Sequence, residues 1–172
     1  MPDAYEMFEI VDEQGRVVGL APRETCHGDP TLTHRVAHVL VCDSRGRLYL
    51  QKRSRHKDIQ PGKWDTSVGG HLKPGESPLA AARRELKEEL GISGVELEFL
   101  YRYLMCNEVE SELVDTFQFR WEGPVHPEPA EIEEGRWWEP AEIQTALRSG
   151  LFTPNFEEEF QRWRKARNDP AP

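Results

Sequence analysis

Ser77 followed by Pro78 opens a helix that Gly91 closes. Serine as cap, proline at the first helical position and glycine just past the end make residues 77–90 the best-marked element of the chain. At about 100° per residue, Leu79, Leu86 and Leu90 lie within about 40° of one another and form a stripe that must be buried. Glu85, Glu88 and Glu89 fall together on the neighbouring sector, at relative positions i, i+3 and i+4. Like charges at that spacing repel, so the face needs cations. Two readings stand at this point. Arg83, Arg84 and Lys87 neutralise a solvated acidic face, or a divalent cation does so, and carboxylate oxygens suit the hard ion Mg²⁺.

The rest of the composition narrows what such a helix belongs to. The chain has 172 residues with 31 Asp and Glu against 22 Lys and Arg, a formal net charge of −9, and 37% apolar residues, enough for one domain with a core. An acidic chain without a long Lys or Arg block has no general affinity for a nucleic-acid polymer or an anionic membrane. Its longest apolar stretch, near residues 36–42, is far below the ~20 needed to span a bilayer, and the first residues carry no basic-then-apolar leader. Cys26, Cys42 and Cys106 are odd in number and scattered, as reduced thiols are. A cytoplasmic protein is expected.

Residues 8–11 and 16–20, across an acidic turn ending in Gly15, predict a hairpin; residues 36–42 and 48–51, across Asp43 to Gly46, predict a second. Between them, residues 22–32 are rich in turn formers and carry Cys26 and His27. Residues 64–68 predict a strand that ends at Gly69 and Gly70, which allow close approach of another chain. Strands are expected at 95–104, 113–121 and 132–139, helices at 140–147 and 156–166, and a frayed tail from Asn168. There is no repeat and no dividing linker, so residues 1–172 read as one mixed α/β domain.

Gly70, then five residues to Glu76, then seven residues to Arg84, Glu85, Leu86, Lys87, Glu88, Glu89, Leu90, Gly91 and Ile92, match the Nudix box at every defined position over residues 70–92. The chain therefore resembles a Nudix hydrolase, and the strands around the box follow the order of that family's α/β/α sandwich, with a central mixed sheet and a loop-helix-loop catalytic box. The resemblance implies that Glu85, Glu88 and Glu89 are catalytic ligands of Mg²⁺ or Mn²⁺. It implies that Glu76 pairs with Arg84 to brace the loop, with Gly70 and Gly91 as its structural glycines. Metal ions would neutralise phosphate charge and activate a water for attack on phosphorus. Glu88 or a carboxylate outside the box would be the general base. Substrates of this family are mostly nucleoside diphosphates linked to something else, and its members are often homodimers, although no interface pattern is visible in the sequence.

A second set of residues is united only by a further resemblance. The segments 26–34, 48–71 and 110–117 are similar to type I isopentenyl diphosphate isomerase, itself of the Nudix superfamily. In that enzyme three histidines and two glutamates, at the places of His27, His34, His71, Glu110 and Glu112, hold a second divalent metal. Such an N/O donor set suits Zn²⁺, Mn²⁺ or Fe. Taken alone, the same residues could form a hydrogen-bonded polar cluster. The isomerase also needs a cysteine two residues before the third histidine, where this chain has Gly69, and an aromatic residue near its C-terminal end, where Asn155 stands in the nearest comparable segment. Glycine does no acid or base work. The box, degenerate in the isomerase, is complete here.

These departures predict a diphosphate hydrolase rather than an isomerase; prenyl diphosphate chemistry and a nucleotide-sensing domain without turnover are the alternatives. The basic run Lys52, Arg53, Arg55, His56 and Lys57 precedes the box and suits phosphate oxygens, with Lys52, Arg53 and Gly70 as candidate substrate contacts; an ordinary charged strand end is the other reading. Trp64, Trp137 and Trp138 offer faces for a base or, equally, side chains for a core.

Overall fold

The ten-residue strand β3 (Thr33–Cys42) is the trunk of the fold, and its alternation explains both layers around it. A computed structural model describes residues 6–57 and 59–168. Before β3 come β1 (Met7–Val11) and β2 (Val17–Pro22), which form the first predicted hairpin, and a short helix α1 (Arg23–Cys26) inside the turn-rich segment. After it come β4 (Leu48–Arg53), β5 (Trp64–Asp65), β6 (Val68–His71) and the box helix α2 (Pro78–Leu90). Strands β7 (Glu98–Cys106), β8 (Ser111–Arg120) and β9 (Ile132–Trp138) and helices α3 (Pro140–Ala146) and α4 (Pro154–Asn168) complete the described chain.

Strand β8 runs parallel to β3 along its whole length, from Thr33↔Ser111 to Cys42↔Arg120. The other edge of β3 is shared in turn by β1 at His34, by β6 from Val36 to Val39, and by β4 at Cys42. β7 adds to β8, and β9 to β4, which gives a mixed sheet. Because successive strand residues point to opposite faces, Ala37, Val39 and Val41 pack under α2 with Ala81, Ala82, Leu86 and Leu90. Leu40, Cys42, Leu48 and Leu50 face the other way, against Ile143, Phe156, Phe160 and Trp163 of α3 and α4. This is the α/β/α sandwich.

Two expectations are corrected in detail. The single strand predicted over 64–68 is two strands with different partners, β5 on β4 and β6 on β3. At the crossing, the Ser67 hydroxyl accepts from the Val41 N–H at 2.9 Å and donates to the Tyr49 carbonyl, so both of these backbone groups are paired where the chain jumps from one partner to the next. Gly69 and Gly70 thus lie within β6 rather than after it. Strands β7 and β8 run about two residues later and earlier, respectively, than the hydrophobic pattern alone predicts, which sets Glu112 into β8 and Glu110 just ahead of it. Of the predicted frayed tail, Asn168 closes α4 and the remainder lies outside the described residues, as do Met1 to Tyr5. Among the described residues no helix is long and apolar enough to cross a membrane.

Candidate active site

The box folds as its punctuation demands. Ser77 Oγ accepts from the Ala80 N–H at 3.2 Å, and Gly91 takes the left-handed conformation at φ 68° that ends the helix. Arg84 is the bracket of the loop: its Nε and Nη2 donate to Glu76 Oε1 and Oε2 at 2.8 and 2.9 Å, Nη2 also reaches the His71 carbonyl at 3.0 Å, and Nη1 meets Glu85. Glu76 turns back to accept from the Lys73 N–H, and this pairing holds its carboxyl below the usual range.

The three box glutamates have different surroundings. Glu89 is buried at 9% exposure, on a cavity it shares with Gln51, Arg53, Gly70 and His71. Its Oε2 accepts from Gln51 Nε2 at 2.7 Å, and the same amide donates to the Ser67 carbonyl at 3.1 Å. Burial, then the charge of Glu85, pushes the Glu89 carboxyl up to about 8. Burial also raises Glu85. Glu88 is exposed and touches Arg84 at 3.4 Å. Gly70 is glycine for a spatial reason: a Cβ there would stand 2.2 Å from Glu85 Cδ, so the carboxyl occupies the volume a side chain would fill. A buried and a half-buried carboxylate pushed toward protonation, with all-oxygen donors, are what a hard divalent cation relieves. The box therefore fits Mg²⁺ or Mn²⁺.

On the opposite face of β3 and β6 the five scattered residues meet. His27 Nε2 lies 3.3 Å from His71 Nε2 and 3.3 Å from Glu110 Oε2; His34 Nε2 and His71 Nε2 are each 3.7 Å from Glu112 Oε1. Donor atoms of His27, His34 and His71 lie within 4.8 Å of one another, as do those of His34, Glu110 and Glu112, so His34 is the hub. Phe8, itself buried, stacks on His34 and His71 at 5.0 and 4.3 Å and fixes both rings. His34 Nε2 and Glu110 Oε2 are buried without a hydrogen-bond partner among the described residues. Burial first, then the other imidazoles, lowers His27 to about 4, while burial and Glu112 push Glu110 up to about 7. Imidazoles and orphaned donors converging on one point fit a nitrogen- and oxygen-liganded cation.

Of the basic run, Arg53 and Lys57 line the cavity, whereas Lys52 and Arg55 turn to Glu133 at 3.2 and 3.3 Å. Strand alternation makes this division: Lys52 and Arg53 are neighbours on β4 and so cannot share a face. Arg53 Nη1 pairs with Asp65 at 3.2 Å, and Lys57 with Glu131. Trp64 and Trp138 are core residues, 5.1 Å apart edge to face, and Trp137 packs edge-on to Tyr49. Reasoning from sequence passed over Phe8, His38 and Glu159; nothing in the local pattern of a buried aromatic, a mid-strand histidine or a helical glutamate sets them apart.

The fold, a mixed sheet between helices with the glutamate helix braced by Arg84 over a glycine, is that of the Nudix type. The chain belongs to the Nudix family: the profile of the NUDIX domain matches residues 32–160. Its enzyme class is that of hydrolases acting on phosphoric anhydride bonds. It is 38% identical over 153 residues to an isopentenyl-diphosphate Delta-isomerase of Nocardia farcinica, covering 85% of this chain and 87% of that protein. It is 34% identical over 164 residues to an uncharacterized Nudix hydrolase of Yersinia pestis, covering 95% and 88%. Among solved structures, DR0079 from Deinococcus radiodurans superposes with a TM-score of 0.79 at 26% identity, over 91% of this chain and 98% of that one. A MutT protein from Methanosarcina mazei Go1 shares the fold, with a TM-score of 0.69 at 22% identity over 83% and 98%.

Proposed function

We propose that this chain is a divalent-metal-dependent pyrophosphohydrolase that cleaves the diphosphate linkage of nucleoside di- or triphosphates or of other nucleoside diphosphate derivatives. The observation that carries this reading is Glu89, a buried carboxylate held by Gln51 on the cavity beside the braced Glu85. Glu85, Glu88 and Glu89 would hold Mg²⁺ or Mn²⁺, which when bound neutralises phosphate charge and lowers the pKa of the water that attacks phosphorus. Gln51 aims the Glu89 carboxyl, Arg84 fixes Glu85 over Gly70, and Arg53 and Lys57 supply positive charge at the cavity wall for phosphate oxygens. A cytoplasmic location accords with three free thiols.

The histidine and glutamate cluster, together with a relative named as an isomerase at 38% identity, favours a second reading, isomerisation of a prenyl diphosphate. Gly69 speaks against it, because no thiol stands where the isomerase places its acid-base group. The experiment that separates the two is a product assay with Mg²⁺ or Mn²⁺. It offers nucleoside di- and triphosphates, sugar and dinucleotide diphosphates, and isopentenyl diphosphate. Hydrolysis within one nucleotide class, with isopentenyl diphosphate returned unchanged, is expected; conversion to dimethylallyl diphosphate with silence on every nucleotide would reverse the assignment.

The same reading makes His27, His34, His71, Glu110 and Glu112 a second divalent-metal site, supported by the orphaned His34 Nε2 and Glu110 Oε2. Elemental analysis after incubation with Zn²⁺ and desalting should find about one zinc retained per chain. His34→Ala should lose that ion yet reduce turnover far less than a change in the box. Equal zinc in both proteins would leave the cluster a hydrogen-bonded one.

A further inference from the structure

Strand β3 carries a second histidine on the face that holds His34. His38 sits four residues further along the same face, with its ring on the wall of the same cavity as Glu89, Arg53 and His71. Its Nδ1 lies 2.6 Å from Glu159 Oε2, a contact between residues 121 positions apart. Glu159 projects from α4 and is wholly buried; its other oxygen accepts from the Thr116 hydroxyl, also at 2.6 Å. Thr116 is neutral, so among the described residues the cation in contact with this buried carboxylate is the His38 imidazolium. An ionised carboxylate away from water requires such a partner.

The far edge of the ring is open. No group among the described residues hydrogen-bonds His38 Nε2. Its cross-strand neighbour on β6 is Gly69, where a Cβ would stand 3.1 Å from His38 Cδ2 and 3.3 Å from Nε2. Glycine at 69 therefore leaves room for the imidazole edge, and any larger residue, cysteine included, would press on it. The absence of a thiol at 69 and the presence of a ring at 38 are two sides of one packing arrangement.

We propose that His38 is a substrate-binding residue: held at Nδ1 by Glu159, it presents a charged Nε2–H to the cavity and donates it to a phosphate oxygen of the diphosphate group. This rests on the reading of the chain as a diphosphate hydrolase. Burial alone would strip the ring of its proton, but Glu159 from α4, with Glu112 from β8 and Asp65 from β5, raises His38 to about 9, so it is cationic at neutral pH. In a cavity that also displays Asp65, Glu89, Glu110, Glu112 and Glu131, a fixed cation is what a polyanion requires in order to settle there.

Two measurements test the inference. Long-range proton–nitrogen NMR of histidine-labelled protein, with His38 assigned by its loss in His38→Gln, should show both His38 nitrogens protonated at pH 7.5 and Nε2 moving when inorganic pyrophosphate is added with Mg²⁺. In kinetics, His38→Gln should raise KM about tenfold with kcat nearly unchanged. Gly69→Ala, which keeps the imidazole and the ion pair but crowds Nε2, should raise KM in the same direction even if His38→Gln does not fold. An Nε2 signal that ignores pyrophosphate, or an unchanged KM in folded variants, would overturn the proposal and leave His38–Glu159 a structural ion pair. If no diphosphate compound is turned over by the wild type, the hydrolase reading fails, and the pyrophosphate titration still decides the role of His38.

Discussion

Glu89→Gln is expected to lower kcat by about 10²-fold or more while the protein keeps its fold and Tm. Glu89 is the box carboxylate that opens on the cavity, and its partner Gln51 donates to Oε2 at 2.7 Å. The amide of the variant is the same shape, so packing around α2 is preserved. What disappears is a negative charge that a divalent cation needs. The folded state also sheds the cost of a carboxyl that burial pushes up to about 8 in the metal-free protein, so stability should not fall. Steady-state assays with the substrate class that the product assay identifies, run over a range of Mg²⁺, measure this directly. A variant that is folded by circular dichroism and turns over at the wild-type rate would remove α2 from the chemistry.

Gly70→Ala should be nearly as damaging, for a reason invisible in any catalogue of charged groups. The added methyl would lie 2.2 to 2.4 Å from the Cδ, Cγ and Oε1 atoms of Glu85, far inside van der Waals contact. Glu85 must then swing away from the loop, or β6 must move off α2. Either shift breaks the carboxylate set braced by Arg84, and a loss of about tenfold or more in kcat is expected, with overpacking costing about 1–3 kcal/mol. Kinetics read beside a thermal melt separate the two: a lowered kcat with a modest fall in Tm is the expected pattern. Wild-type activity in Gly70→Ala would mean that Glu85 is free to leave its place without consequence.

The two faces of β3 explain how one chain can look like both a hydrolase and an isomerase. Ala37, Val39 and Val41 seat the box helix, whereas His34 and His38 project to the other side, where His71 and Glu112 join them. Gly69 and Gly70 lie between these faces in β6, one beside His38 and the other beneath Glu85. A side chain at either position would invade one site or the other. The pair of glycines therefore keeps both sides open: a thiol at 69 would crowd the His38 ring, and a side chain at 70 would displace Glu85.

How much of this was legible beforehand depended on whether a contact was local. The box helix, with its cap, stop and glutamate face, is written in 15 consecutive residues and needs only a 3.6-residue period to be read; Ser77 and Gly91 appear in the structure where that punctuation puts them, and Glu76 pairs with Arg84 as the family resemblance implies. The hairpins were legible for the same reason, since a turn and its flanking alternation are neighbours in the chain. Strand alternation could have told Arg53 from Lys52, but only with the direction of the cavity already known. The split of residues 64–71 into two strands was not legible, because β5 and β6 differ in their partners and not in their composition.

The sequence by itself determined the family, because the box rests on residue types at short fixed spacing. Only the tertiary structure decided that His27, His34, His71, Glu110 and Glu112 share one centre, that Phe8 holds its rings, and that Glu159 reaches His38 across 121 residues. The physical reason is the same in each case. Those contacts are made by register between β3, β6 and β8 and by the docking of α4, and pairing between distant strands leaves no periodic mark on either of them.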